Sequence, residues 1–236
     1  MIIVDFYGLP GCGKSTITKG VYEKLKKLEI DVNLFNKNEY LEESKIKKNY
    51  FKDYIRLLLP HNLKFMFEII FNMKKYKKNQ KILKQGLKER IWKELRLVIL
   101  YDKLAYTKSD SVILVDQGII QDFSDYLMFR DITSEIIEKY LKKYTQSKNK
   151  FIFVNCEISV NESINRIKSR NRKIYAFDYL EDDELNEFLT EQQKILKNID
   201  KEITDKENLN KIKVIPKTEF LEKNIENLVD EVIRRR

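Results

Sequence analysis

Cysteine, histidine, proline and glycine are all scarce in this chain of 236 residues, with two, one, three and six copies. Two cysteines, Cys12 and Cys156, give neither a disulfide framework nor a zinc-ligand pattern, which points to a reducing, cytoplasmic setting. A lone histidine, His61, cannot build a histidine metal site or a serine–histidine–aspartate arrangement and reads as a turn residue after Pro60. So few prolines and glycines exclude collagen-like and low-complexity architectures. Long apolar runs are missing as well. The greasiest stretch, 55–73, is interrupted by Arg56, Pro60, His61, Lys64 and Glu68, whereas a membrane span needs about 20 mostly apolar residues. The opening Met1-Ile2-Ile3-Val4-Asp5 has no basic lead, and Asp5 breaks its apolar run, so no secretory signal is expected. The expectation is a globular, cytoplasmic protein without a membrane partner.

Charge is plentiful, at 35% of residues, and unevenly placed. Residues 45–108 hold 18 basic side chains against five acidic ones, a block of +13, while the remainder sums to −4. Aromatics such as Tyr50, Phe51, Tyr54, Phe65, Phe67 and Tyr76 interleave with the lysines, as a surface for nucleic acid could. Only 10 of the 46 basic residues are arginine, however, and a lysine-rich solvated helix face explains the block as well.

Residues 2–7, Ile-Ile-Val-Asp-Phe-Tyr, form a β-branched and aromatic run that stops at Gly8 and reads as a buried strand. After a glycine-rich turn, Ile17, Val21, Leu25 and Leu28 recur at helical spacing, and 31–36 alternates as a second strand. Strand, glycine turn, helix and strand make a βαβ unit, hence a parallel sheet covered by helices. A helical insertion is expected over about 38–110, closing with a long helix striped by Leu87, Ile91, Leu95 and Val98. Further strands follow at 111–115, 150–156 and 211–215, separated by helices near 118–129, 133–145, 159–170 and 181–201. Pro216 precedes a last amphipathic helix on Leu221, Ile225, Leu228 and Val232. The predicted fold is a single α/β domain over 1–236 with a doubly wound, five-stranded parallel sheet.

Three features carry chemistry. Gly8-Leu-Pro-Gly-Cys-Gly-Lys14-Ser15 fits the P-loop pattern in its proper context, after a strand and opening a helix. Gly8, Gly11 and Gly13 let main-chain N–H groups turn toward a polyphosphate, the helix start faces it, Lys14 reaches its outer phosphates, and Ser15 offers a hydroxyl to Mg²⁺. Cys12 is read as a spacer whose backbone matters. Asp116 ends the apolar run Val112-Ile-Leu-Val115, where open α/β sheets bind ligands, and is placed to share Mg²⁺ with Ser15; it could also cap the following helix. Finally, Arg166, Arg170 and Arg172 concentrate the scarce arginines in one short window, suiting a lid over 166–180 that brings guanidinium groups to ATP.

Taken together, Gly8–Thr16, the segment around Glu39, Asp116 onward and Arg166 to Leu196 resemble the P-loop kinases of small metabolites, in the thymidylate kinase and deoxynucleoside kinase branch. The resemblance implies an ATP- and Mg²⁺-dependent phosphotransferase whose acceptor is a nucleoside or nucleoside monophosphate. Thr16 and Arg172 would join the nucleotide contacts, and Glu39 would be the base that takes the acceptor's proton, with Asp116 the other choice. Gln117 and Gln121 could hydrogen-bond the acceptor, Trp92, Tyr101 and Tyr106 could stack on it, and the apolar insertion helices could form a homodimer seam. Two positions depart from the branch: Gln117 stands where it usually has arginine, and Tyr179 follows the lid aspartate Asp178. An acceptor of another kind therefore stays open, whether a sugar, an antibiotic alcohol or a polynucleotide end, as does a P-loop ATPase acting with nucleic acid.

Overall fold

The computed structural model describes residues 1–35, 109–118, 120, 121, 124, 138, 141, 147, 149–170, 176–204 and 210–236. Its centre is a five-stranded, all-parallel sheet in the order β2-β3-β1-β4-β5. The strands are β1 (Ile2–Tyr7), β2 (Val32–Phe35), β3 (Val112–Asp116), β4 (Lys150–Cys156) and β5 (Asn210–Val214). Among the described residues the helices that accompany them are α1 (Lys14–Lys27), α2 (Val160–Ser169), α3 (Asp182–Thr204) and α4 (Leu221–Arg235). This is the doubly wound arrangement that the alternation of apolar runs and helical stripes predicts.

β1 lies in the middle and is buried along its whole length, which explains why its sequence is apolar at nearly every position rather than alternating. Its neighbours fix what surrounds its carboxyl end, with Phe6 opposite Asp116 of β3 and Tyr7 opposite Asn155 of β4. The chain leaves β1 toward β2 on one side, whereas the chain leaving β3 reaches β4 on the other. Their carboxyl ends therefore border a crevice at the point where strand order reverses.

Helix faces follow the sequence stripes. α1 buries Ile17, Val21 and Leu25, and α4 buries Ile225, Leu228, Val229 and Val232. The two helices meet at Gly20, where a Cβ would come 2.3 Å from Ile225 Cδ1. Lys24 of α1 completes that seam with ion pairs to Glu222 (2.8 Å) and Glu226 (2.9 Å), both solvent-exposed and so worth little. α3 runs three residues beyond the predicted end because Ile199 and Ile203 continue its buried stripe.

At the carboxyl edge of the sheet, Asp200 of α3 accepts hydrogen bonds from Tyr7 and from Asn155 Nδ2 (2.5 Å) and pairs with Lys211 at 3.1 Å. This carboxylate ties the ends of β1 and β4 to the helix that packs over them. Burial, then the Asp200 carboxylate, pushes the Tyr7 phenol well above its ordinary pKa.

Candidate phosphate-binding site

The turn between β1 and α1 is shaped by its glycines. Gly8, Gly11 and Gly13 have φ of 147°, 83° and 91°, all in the region where an L side chain is strained. At Gly8 space is closed as well, since a Cβ would lie 2.3 Å from the main-chain oxygen of Cys156. Gly13 is the N-cap of α1, and no side chain caps it. The helix start thus has backbone donors without a side-chain acceptor, in a place suited to an anion.

Lys14 is buried within this turn, donating to Gly8 O (2.9 Å), Leu9 O (3.0 Å) and Cys12 Sγ (3.4 Å). Its ammonium charge is held by the loop's own acceptors, less than a turn of helix from the uncapped amides. Thr16, next on the exposed first turn, donates its main-chain N–H to Gly13 O at 3.1 Å.

Asp116 is brought to the loop by the pairing of β3 with β1. Ser15 Oγ donates to Asp116 Oδ2 at 2.6 Å. The second oxygen, Oδ1, is buried and has no hydrogen-bond partner. A hydroxyl beside a carboxylate with a spare buried oxygen is a set of hard oxygen donors, the kind Mg²⁺ takes through one or two protein ligands. These residues fit the cation. Among the described residues, Ile120 N–H points at 3.4 Å to Asp5 Oδ2.

That role for Asp5 was not anticipated. The carboxylate is fully buried in β1, and Gly118 leaves room for it: a Cβ there would sit 2.3 Å from Asp5 Oδ1. Gln117 enters the same turn with φ of 58°. A lone acid inside an apolar strand was the available signal, because a buried carboxylate requires donors. Gln121, considered as an acceptor contact, accepts from Gly8 N–H at 3.2 Å, and its side chain is buried against the start of the loop.

α2 covers the outer side of the loop. Ser159 caps it by accepting from Glu162 N–H at 3.1 Å, and Ser163 Oγ donates to Pro10 O at 2.6 Å. Arg166 forms a clasp, donating to Gly11 O (3.2 Å) and to Pro216 O (3.2 Å) in the β5–α4 connection while paired with Glu162 at 2.5 Å. Arg170 stands above the same place, its Nη2 3.2 Å from the position a Gly11 Cβ would take. Two arginines four residues apart thus converge on Gly11. Beyond them, Phe177 stacks on Phe188 of α3 (centroids 6.2 Å apart), and Lys168 pairs with Asp182 at 2.5 Å, joining α2 to the start of α3. Tyr179, at the departure from the branch, is exposed.

Glu39, Arg172, Trp92, Tyr101, Tyr106, His61 and the basic block lie outside the described residues. Among the described residues no cluster of three or more histidine, cysteine or acidic side chains could hold a metal, and no helix is long and apolar enough to cross a membrane.

The parallel sheet, the glycine turn opening α1 and the acid closing β3 define a P-loop fold of the deoxynucleoside kinase type. The chain is similar to a deoxyadenosine kinase from M. mycoides, solved with dCMP and a flexible dCDP bound, at 17% identity and a TM-score of 0.50, covering 99% of this chain and 100% of that one. Structures of deoxyadenosine kinase from M. mycoides with dCTP (17% identity, TM-score 0.48, 97% and 99% covered) and with dATP (19%, 0.47, 98% and 99%) also align. No family model and no curated protein sequence matches the chain.

Proposed function

We propose that the protein is an ATP-dependent phosphotransferase that moves the γ-phosphoryl group to a small acceptor of the nucleoside or nucleoside monophosphate class. The observation that carries this reading is the contact between Ser15 and Asp116, with the second Asp116 oxygen left for a cation beside a lysine-bearing glycine turn. The likeness in fold to an enzyme named as a deoxyadenosine kinase supports the acceptor class.

In this mechanism the loop amides and the start of α1 bind the polyphosphate, and Lys14 turns from Gly8 O and Leu9 O to its outer oxygens. Ser15 and Asp116 would hold Mg²⁺, which would neutralise phosphate charge there. Arg170, joined by Arg172 and after release of its clasp by Arg166, stabilises charge on the transferring group. Glu39 takes the proton of an alcohol acceptor. Positioning and electrostatics do most of the work, as in phosphoryl transfer generally.

The test is a transfer screen with ATP·Mg²⁺ over nucleosides, nucleoside monophosphates, sugars, aminoglycosides and oligonucleotide ends. Turnover that depends on a nucleoside-type acceptor, with little hydrolysis in its absence, is the expected outcome. Strong acceptor-independent hydrolysis would overturn the reading.

A further inference from the structure

The end of β3 and the residues just after it touch the glycine turn at both of its ends. Asp116 Oδ2 accepts from Ser15 Oγ at 2.6 Å, at the far end of the turn. Gln121 Oε1 accepts from Gly8 N–H at 3.2 Å, at its first residue. Between these two contacts, Ile120 N–H points to Asp5 Oδ2 at 3.4 Å, and Gly118 leaves room for that buried carboxylate. Asp116, Ile120 and Gln121 thus bear on β1 and on the first and last residues of the loop 8–15.

The side-chain amide of Gln121 is oriented by what lies at each of its atoms. The residue is 6% exposed, so its polar atoms must find partners within the protein. Ser124 Oγ gives its single proton to the main-chain oxygen of Gln121 at 2.8 Å. Its lone pairs are then left to face Gln121 Nε2 at 3.5 Å. The NH₂ group, a donor, belongs on the serine side, and Oε1 belongs where the Gly8 N–H meets it. A flipped amide would set NH₂ against N–H and an oxygen against a hydroxyl whose proton is already given.

Gly8 is a residue that gains from being held. It has φ of 147° and no side chain to restrict its backbone. Its carbonyl oxygen accepts from Lys14 Nζ at 2.9 Å. The two peptide groups on either side of the Gly8 Cα are therefore tied, one to Gln121 and the other to Lys14. Loss of the first tie frees the two soft torsions of Gly8, and with them the carbonyl against which Lys14 is set.

We propose that Gln121 is a positioning residue for phosphoryl transfer, acting through Gly8 and Lys14 rather than on the phosphates or the acceptor. It holds the start of the loop in register with Asp116, which holds the end through Ser15. Transfer is sensitive to such register, since a misplacement of about 1 Å costs on the order of a hundredfold in rate. The effect on turnover rests on the nucleotide reading; the bond to Gly8 does not.

The experiment compares the full-length parent with Gln121→Met, which keeps the length and loses the acceptor, and Gln121→Glu, which keeps an acceptor oxygen toward Gly8. Ser124 can turn its proton to the second oxygen of that carboxylate. Hydrogen exchange at the Gly8 amide, ATP·Mg²⁺ calorimetry, steady-state transfer to the best acceptor of the screen and melting temperature are measured, with kinetics taken well below melting. In Gln121→Met the Gly8 amide should exchange at least about tenfold faster. Its kcat should fall at least about tenfold while the ATP dissociation constant weakens less than about threefold. Gln121→Glu should keep the Gly8 protection and recover most of the lost kcat. Gln121→Asn, which withdraws the amide by one carbon, replaces the methionine variant should that one fold poorly, with the same split expected. A lower melting temperature with kcat unchanged would make Gln121 a packing residue and overturn the proposal. So would equal kcat losses in the methionine and glutamate variants, or Gly8 exchange indifferent to Gln121. Failure of the parent to bind ATP would sink the nucleotide reading and the role in transfer together, whereas slow Gly8 exchange in that same protein would still uphold the bond.

Discussion

Ser15 and Asp116, 101 residues apart in the chain, meet at 2.6 Å because β1 and β3 are hydrogen-bonded neighbours. The glycine turn leaves the carboxyl end of one strand, and the aspartate closes the other. This contact gives the first prediction. Ser15→Ala and Asp116→Asn should each reduce transfer at least about a hundredfold, a loss near 3 kcal/mol of transition-state stabilisation. Asp116→Asn should also lose Mg²⁺-dependent thermal protection by ATP. Full activity in either variant would remove Asp116 and Ser15 from the site.

Lys14 spends its charge on Gly8 O, Leu9 O and Cys12 Sγ. Lys14→Ala is expected to abolish measurable transfer while circular dichroism stays native, because the surrounding carbonyls belong to a loop with glycine geometry. Loss of the native spectrum would make this lysine a structural residue first.

The two arginines above Gly11 should separate kinetically. Arg170→Ala is expected to lower kcat more than it raises the KM for ATP, the sign of an interaction made chiefly in the transition state. Arg166→Ala also breaks the clasp on Gly11 O and Pro216 O, so it should add a drop in melting temperature that Arg170→Ala does not show. Equal thermal losses in both variants would contradict this assignment.

Gly118 is expected to be intolerant of any side chain. Its Cβ would fall 2.3 Å from the buried Asp5 carboxylate, so Gly118→Ala should destabilise the protein by about 1–3 kcal/mol in denaturant titrations. Pairing it with Asp5→Ala should recover part of that loss, beyond simple addition of the two single effects.

Alkaline pH should weaken the fold through Tyr7. Its phenol is pushed well above the ordinary value of 10.0, by burial and then by Asp200. A neutral phenol is favoured in the native state, so this contribution is fully present below pH about 10 and is lost as pH climbs from there toward the raised native value. Melting curves of Tyr7→Phe should fall less steeply with pH in that window. Parallel curves for the two proteins would show that Tyr7 does not govern alkaline unfolding.

The sequence by itself determined the elements and the kinds of residue at the site. Its apolar runs and 3.6-residue stripes specify five strands and the helices around them, since burial on two faces or one leaves a pattern in the order of residues. The glycine turn was equally legible, because the phosphate cradle is local: Gly8 to Ser15 are consecutive, and their backbone angles need little from the rest of the chain. Only the tertiary structure decided which distant groups share a space. Strand order set Asp116 against Ser15, sent Asp5 to the Ile120 amide, and turned Gln121 to Gly8. Those relations depend on the pairing of strands far apart in the chain, and no pattern of neighbouring residues encodes a pairing partner.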